Sequence, residues 1–477
     1  MKKDSLISKF LSFSIGSWIS ILIAVVTTPI TTRLLSPEEF GKFSMFELYT
    51  NITMAFIICG IDQAFVRFFY EEKEEDRKNL LFSCLKIPFI LNIASILILV
   101  LFGKQISNYL FGEYSIRIII LLIVHTTFLI LNRFATMLIR MQQKGKTYSA
   151  LLIAQKVSNL IFILLSAGFF NRDFRTLAYA AFFSNLVVTL VGVVVELNYW
   201  NIFTLNKKDY KRSQKEILEY GIPLLFTFVI TWLFQSADKI AIKHFNDLNE
   251  VGIYGSAFKI ISILNIIQSS FTTFWVPVAF ERYEKDPNDT KFFEKMNLLI
   301  TVVMMLGGIL LILFRDLIIL LLGKEYRSAI FLIPFLSFMP IMYTISETTV
   351  MGINFLKNPK SHIYIAAVSC IANIIGNIIL VPIYGAKGAA ISTGISYIIF
   401  FAMRTFISLK HFKVNYHIKE FSIMTIALTL YVLYSTFMEV NLTYILIGIG
   451  EIGLLLFVYR DYVGEGIKKF KAKLKKN

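Results

Sequence analysis

The interval from Phe10 to Thr32 contains no charged side chain, and apolar stretches of similar length recur along the whole chain. A bilayer core of roughly 30 Å is crossed by about 20 apolar residues in a helix, which alone among single segments satisfies its own backbone polar groups in hydrocarbon. About fourteen such spans can be drawn, near 10–32, 42–66, 80–102, 115–138, 148–170, 177–200, 218–237, 252–280, 292–314, 328–353, 361–381, 388–409, 420–438 and 442–459. Hydrophobic residues make up 56% of the sequence, far from a soluble domain. The expected class is an all-α, multi-pass integral membrane protein.

Lys and Arg fall mostly on every second connection. With the amino end placed inside, the inner connections hold about 32 of these residues and the outer ones about 12. The inner set includes Lys2, Lys3 and Lys9, then Arg140, Lys144 and Lys146, then Lys207, Lys208, Lys211, Arg212 and Lys215. Both termini are therefore expected on the cytoplasmic side of the cell (inner) membrane. The six lysines from Lys468 to Lys476 read as an anchor drawn to anionic inner-leaflet lipid. Nucleic acid is not an expected partner, because the basic excess sits at span ends rather than on one soluble face.

The first span is too long, and lacks the small-residue cleavage site, for a removed secretory signal. Cys59, Cys84 and Cys370 lie inside apolar spans and are expected as free packing thiols. His125, His244, His362, His411 and His417 show no metal-ligand spacing, and neither a metal nor a cofactor is expected. The longest connection, around 201–217, is about 17 residues and has no room for a catalytic domain. No GxxxxGK[ST] is present, so the chain by itself holds no nucleotide as a pump ATPase does. Glu71, Glu72, Glu74, Glu75 and Asp76 alternate with Lys73, Arg77 and Lys78, the pattern of a solvated face rather than a metal site. The chain reads as a transporter, not an enzyme.

Sliding the sequence on itself by about 211 to 214 residues brings two halves into register. Phe40-Gly41-Lys42-Phe43 lies over Val251-Gly252-Ile253-Tyr254, Lys144-Gly145-Lys146-Thr147 over Asn358-Pro359-Lys360-Ser361, and Asn159 over Asn373. An even number of spans separates the copies, so both halves run the same way through the membrane. Parallel repeats of this kind place a substrate path at their interface, opened alternately to each side. The expected organisation is an N-lobe over 1–205, a C-lobe over 206–415, two appended spans over 416–462 and a basic tail over 463–477.

Leu34-Leu35-Ser36-Pro37-Glu38-Glu39-Phe40-Gly41 resembles the signature of the polysaccharide transporters, the Wzx-type flippases of the MOP superfamily. Ala237-Asp238-Lys239, the following Val251-Gly252-Ile253-Tyr254, and Tyr384-Gly385-Ala386-Lys387-Gly388-Ala389-Ala390 resemble that family's second-half patterns. The resemblance implies two six-helix lobes in a MATE-like parallel arrangement around a V-shaped cavity. It also implies a lipid-linked oligosaccharide as cargo, moved from inner to outer leaflet in the making of cell-surface polysaccharide. Membrane lipids and other polysaccharide-assembly proteins are the implied partners. The family pattern often has Arg where this chain has Lys239, which keeps the charge and loses a bidentate donor.

A charge at mid-membrane costs roughly 2.5 to 3.5 kcal/mol on insertion scales, so each one that persists should face protein or water. Arg133, Lys156 and Lys259 are the cations of this kind and the candidate contacts for a pyrophosphate headgroup. Glu347, which the repeat places over Arg133, and Glu47, near the depth of Lys259, are candidate lumen or coupling groups. Arg133 and Glu347 could pair across the two lobes, act separately, or be paired each within its own lobe. Asp62 with Arg67, and Asp238 with Lys239, read as gating or structural pairs, and Glu451 should turn toward protein. Pro29, Pro88, Pro223, Pro277, Pro334 and Pro340 can bend their helices. Trp18, Trp200, Trp232 and Trp275 read as lipid-facing or interfacial aromatics.

Two other readings stand beside the flippase. A MATE-like multidrug antiporter would share the helical plan, but a site for organic cations favours carboxylates over three interior cations. A membrane scaffold or enzyme of a polysaccharide assembly complex fits the repeat and the short loops less well.

Overall fold

The computed structural model describes residues 6–169, 172–201, 212–356 and 359–462, and all the regular structure among them is helical. Lys2, Lys3, Lys207, Lys208, Lys211 and the lysines of the 463–477 tail lie outside the described residues. Among the described residues nine helices are long and apolar enough to cross a membrane, and three bent pairs raise the number to as many as twelve. Two shorter apolar helices, Trp18–Leu34 and Leu442–Val458, stand where the first and last spans were expected. The chain is a multi-pass, all-α membrane protein.

Contacts divide it into two compact units, Met1–Ser236 and Ala237–Asn477. The division falls inside helix α9 (Gln214–Phe245). The first turns of α9 belong with the first unit: Gln214 Nε2 donates to the Ser83 carbonyl at 3.1 Å, and the Tyr220 ring lies 5.6 Å from that of Phe68. Just before α9, Arg212 meets Glu72 at 2.6 Å and Glu71 at 3.1 Å and covers the Phe68 ring.

The first unit contains α1 (Leu6–Leu34), α2 (Pro37–Ile58), α3 (Ile61–Phe68), α4 (Arg77–Phe111), α5 (Ile116–Met141), α6 (Gly145–Phe169), α7 (Phe174–Val195) and the short α8 (Leu197–Trp200). Ser36 opens α2 by accepting the Glu39 amide, and Pro37 follows where its missing N–H costs nothing. Small residues let backbones approach, as where the Gly16 amide reaches Ser149 Oγ at 3.2 Å. The second unit contains the rest of α9, α10 (Leu248–Lys285), α11 (Thr290–Leu313), α12 (Arg315–Ile318), α13 (Ile333–Leu336), α14 (Phe338–Thr349), α15 (Met351–Phe355), α16 (Pro359–Tyr384), α17 (Ala386–Leu409), α18 (Ile418–Phe437) and α19 (Leu442–Val458). The last two are keyed to it by Arg315, fully buried, whose guanidinium donates to the Ser435 and Met438 carbonyls at the end of α18.

The internal repeat is visible in bonding. Glu39 Oε2 accepts the Phe174 amide that opens α7 at 2.8 Å, and Glu250 Oε2 accepts the Ala386 amide that opens α17 at 2.9 Å. Asn159 reaches Ser184 Oγ on the next helix at 3.5 Å, and Asn373 reaches Ser392 Oγ at the same distance. Both second helices bend: α2 and α3 meet at 52°, and the 248–262 and 267–285 parts of α10 meet at 47°.

One expectation needs correction. Trp275 is not lipid-facing: it is fully buried, stacks on Phe271 and Phe292, and donates Nε1 to the Glu347 carbonyl at 3.0 Å. A ring with one polar atom finds both a packed face and an acceptor in the second unit's core. Most of the prolines, each able to bend its helix, do not stand at the sharp bends. Pro29, Pro88, Pro223 and Pro277 sit inside continuous helices, and the 60° bend before α13 is the one beside a proline, Pro334. The break after α2 comes instead from Cys59 and Gly60, both left-handed, with φ of 50° and 70°.

Gly60 is at that break for two reasons. A Cβ there would lie 2.3 Å from the Gly221 carbonyl oxygen, and a left-handed backbone costs an L residue about 1–2 kcal/mol. Gly60→Ala is expected to lower the melting temperature of the detergent-purified protein by several degrees; an unchanged transition would show that α3 and α9 do not depend on this contact.

Candidate functional site

The break at Cys59-Gly60 turns α3 so that Asp62 points at α5. Asp62 is buried, and its Oδ2 takes Arg133 Nη2 at 2.6 Å and Nε at 3.1 Å. Gln63 donates its backbone N–H to Oδ1 and its amide to Oδ2. The Arg133 side chain stays 49% exposed, so this is a buried carboxylate holding an exposed guanidinium. Arg133 lies eight residues before the end of α5, about 12 Å along the helix and too deep to be explained as a span-end charge. Arg67 pairs with Glu71 at 2.6 Å, not with Asp62.

In the second unit Glu347 on α14 meets Arg404 of α17 at 2.8 Å, and both side chains are 8% exposed. Arg404 Nη1 also donates to Ser346 Oγ at 2.7 Å, and its guanidinium lies over the rings of Tyr343 and Phe400, which stack on each other. Arg133 and Glu347, equivalent by the repeat, thus each find a partner inside their own unit. The polarity is reversed between the two pairs, and only the first leaves one member exposed.

Asp238 is buried in the second unit and held by neutral donors: Thr393 Oγ1 at 2.7 Å, Asn377 Nδ2 at 2.8 Å, Asn373 Nδ2 at 3.0 Å and the Tyr254 hydroxyl. Asn377 Oδ1 is buried and has no hydrogen-bond partner among the described residues. One carboxylate with amide and hydroxyl oxygens is a hard-donor set, able to take a proton or a small monovalent cation if the amides turn their oxygens inward.

Lys259 is exposed on α10, eleven residues from its start, about 16 Å along the helix. Ser262, Ser269 and Thr273 are exposed along the same face of α10, and Asn51, over Ser262 in the repeat, is exposed on α2. A lysine at that depth costs roughly 2.5 to 3.5 kcal/mol against acyl chains. Lys156 is exposed on α6, Lys239 half-buried on α9, and Glu47 half-buried on α2 beside Phe46, whose ring packs on His125. Glu451 is buried in α19, and its Oε2 has no hydrogen-bond partner among the described residues.

Arg404 escaped sequence reasoning because it stands five residues before the end of α17, where an arginine reads as interfacial. The group around Asp238 was missed too, although Asn373 and Asn377, one turn apart in an apolar span, were a legible signal for it.

Residues 6–283 match the family model described as a polysaccharide biosynthesis protein, and the chain belongs to that family. Among curated proteins it is 21% identical to a probable low-salt glycan biosynthesis flippase of Haloferax volcanii, over 76% of this chain and 75% of the relative. Among solved structures it resembles the lipid II flippase MurJ in an inward closed conformation, with 18% identity, a TM-score of 0.70, and coverage of 94% of this chain and 99% of the other. An outward-facing multidrug MATE transporter of the MOP superfamily aligns with a TM-score of 0.60 at 14% identity, over 84% of this chain and 93% of the other. The fold is that of these transporters.

Removing one member of a buried ion pair leaves the other charge uncompensated, typically at a cost of about 3–5 kcal/mol. Glu347→Gln is expected to destabilise the protein on that scale, and Glu347→Met with Arg404→Met to recover most of it. Melting curves of the single and double variants in detergent check this. Equal losses in both would mean that packing against Tyr343 and Phe400, not charge, makes the pair matter.

Proposed function

We propose that the protein is a flippase that carries a polyprenyl-(pyro)phosphate-linked oligosaccharide from the inner to the outer leaflet of the cell membrane, for cell-surface polysaccharide synthesis. Sugar hydroxyls lose roughly 1–3 kcal/mol each when desolvated without partners, so an oligosaccharide headgroup does not cross bare lipid. The protein supplies a wet, polar route while the lipid tail stays in the bilayer. The two repeats alternate access to the two sides, with both termini in the cytoplasm.

The observation that supports this reading best is the set of cations exposed deep in spans: Arg133 and Lys156 in the first unit and Lys259 in the second. An anionic pyrophosphate is the costliest part of the cargo to move, and these groups attract it. A site for organic cations would present exposed carboxylates there, which weighs against a multidrug antiporter. With the cell interior negative, outward passage of anionic charge is favoured by roughly 2.3 kcal/mol per charge per 100 mV, so potential alone can drive net flipping. Coupling to a proton or cation, through Asp238 or through Glu47 and Glu347, is a separate element. It is absent if flux follows voltage and ignores imposed pH and sodium gradients.

Reconstitution into vesicles with a lipid-linked oligosaccharide tests the proposal. Wild-type protein is expected to expose inner-leaflet cargo to an external lectin or glycosidase. Lys259→Ala is expected to slow this about tenfold or more, equivalent to roughly 1.4 kcal/mol, while Lys259→Arg retains it. No flux with wild-type protein would overturn the flippase reading. Unimpaired flux in Lys259→Ala would remove that residue from the cargo path.

A further inference from the structure

We propose that Asp62 is a positioning residue, which fixes the guanidinium of Arg133 so that its free edge meets the phosphoanhydride of the cargo. The inference rests on the flippase reading above and adds to it the residue that gives one cation a direction.

Four observations carry it. Asp62 is almost wholly buried and is itself tied, its two oxygens taking bonds from both the backbone and the side-chain amide of Gln63. It grips Arg133 along one edge only, Nε and Nη2 both reaching Oδ2, and Arg133 Nη1 has no bond among the described residues. Because a guanidinium is planar, holding one edge fixes where the other donors point, which a lysine cannot reproduce. The polar neighbours of Arg133 are occupied elsewhere and do not compete: Asn132 Nδ2 is bonded to the Asn185 carbonyl and Thr189 Oγ1, and Thr136 Oγ1 to the Asn132 carbonyl.

The pair in the other unit shows what a purely internal arrangement looks like. Arg404 is closed in by Tyr343 and Phe400 and shares the low exposure of Glu347. Arg133 has an equally buried partner and yet keeps half its own surface open. A structural ion pair gains nothing from leaving the cation exposed at that depth. A fork waiting for an oxoanion requires it, since the free donors reach phosphate oxygens only when they are uncovered.

The test is a double-mutant cycle on binding of a short-chain prenyl pyrophosphate, such as farnesyl pyrophosphate, to the full-length protein in detergent. Arg133→Lys keeps the charge and loses the fork, and is expected to weaken binding about tenfold when Asp62 is present. In an Asp62→Asn background, where the guanidinium is no longer held, the same change is expected to cost less than about twofold. A role in folding alone would shift melting temperatures without producing this difference between backgrounds. Equal losses in both backgrounds, or no loss from Arg133→Lys with Asp62 present, would overturn the inference while leaving the flippase reading in place. Wild-type protein that binds no prenyl pyrophosphate would count against that reading itself. Should Asp62→Asn fail to fold, Asp62→Glu replaces it in the cycle: it keeps the charge and displaces the fork, and the cost of Arg133→Lys is again expected to shrink.

Discussion

An ionised side chain deep in a hydrocarbon layer needs a counter-charge, a set of donors or water, and this protein uses all three solutions. Glu347 has a counter-charge in Arg404. Asp238 has donors in Thr393, Asn373, Asn377 and Tyr254. Lys259, exposed on α10, calls for water. Arg133 combines two of them, with Asp62 on one edge and open surface on the other. The distinction between a charge that is buried for structure and one that is kept available follows from which solution each adopts.

The repeat explains why the chain can contain both kinds. Glu39 and Glu250 do the same job in the two units, each tying the start of a second helix to the start of a sixth. That shared scaffold leaves other equivalent positions free to diverge, and Arg133 and Glu347 are opposite in sign because each answers to a different local partner. Within that common frame one pair is open and the other closed.

Much of the fold was legible in the sequence. Apolar length marks spans because hydrocarbon enforces it residue by residue, and the overlaid Asn159 and Asn373 each bond a serine on the following helix, although those serines are not themselves in the repeat register. The sharp bends were less legible, since prolines draw attention while the break after α2 arises from Cys59 and Gly60, whose left-handed backbone leaves little trace in composition. Trp275 was misread for a related reason: span composition does not say which face of a helix meets lipid.

By itself the sequence determined the all-helical membrane class, the approximate number of spans, the two-fold repeat and the short list of charges inside the bilayer. These depend on local length, composition and spacing, which the bilayer reads directly. Tertiary structure alone decided that Arg133 belongs with Asp62, that Glu347 belongs with Arg404, and that Asp238 is ringed by neutral donors. Apart from Tyr254, the partners in these cases are more than fifty residues apart along the chain, and only helix-on-helix packing sets which side chains meet and which stay open.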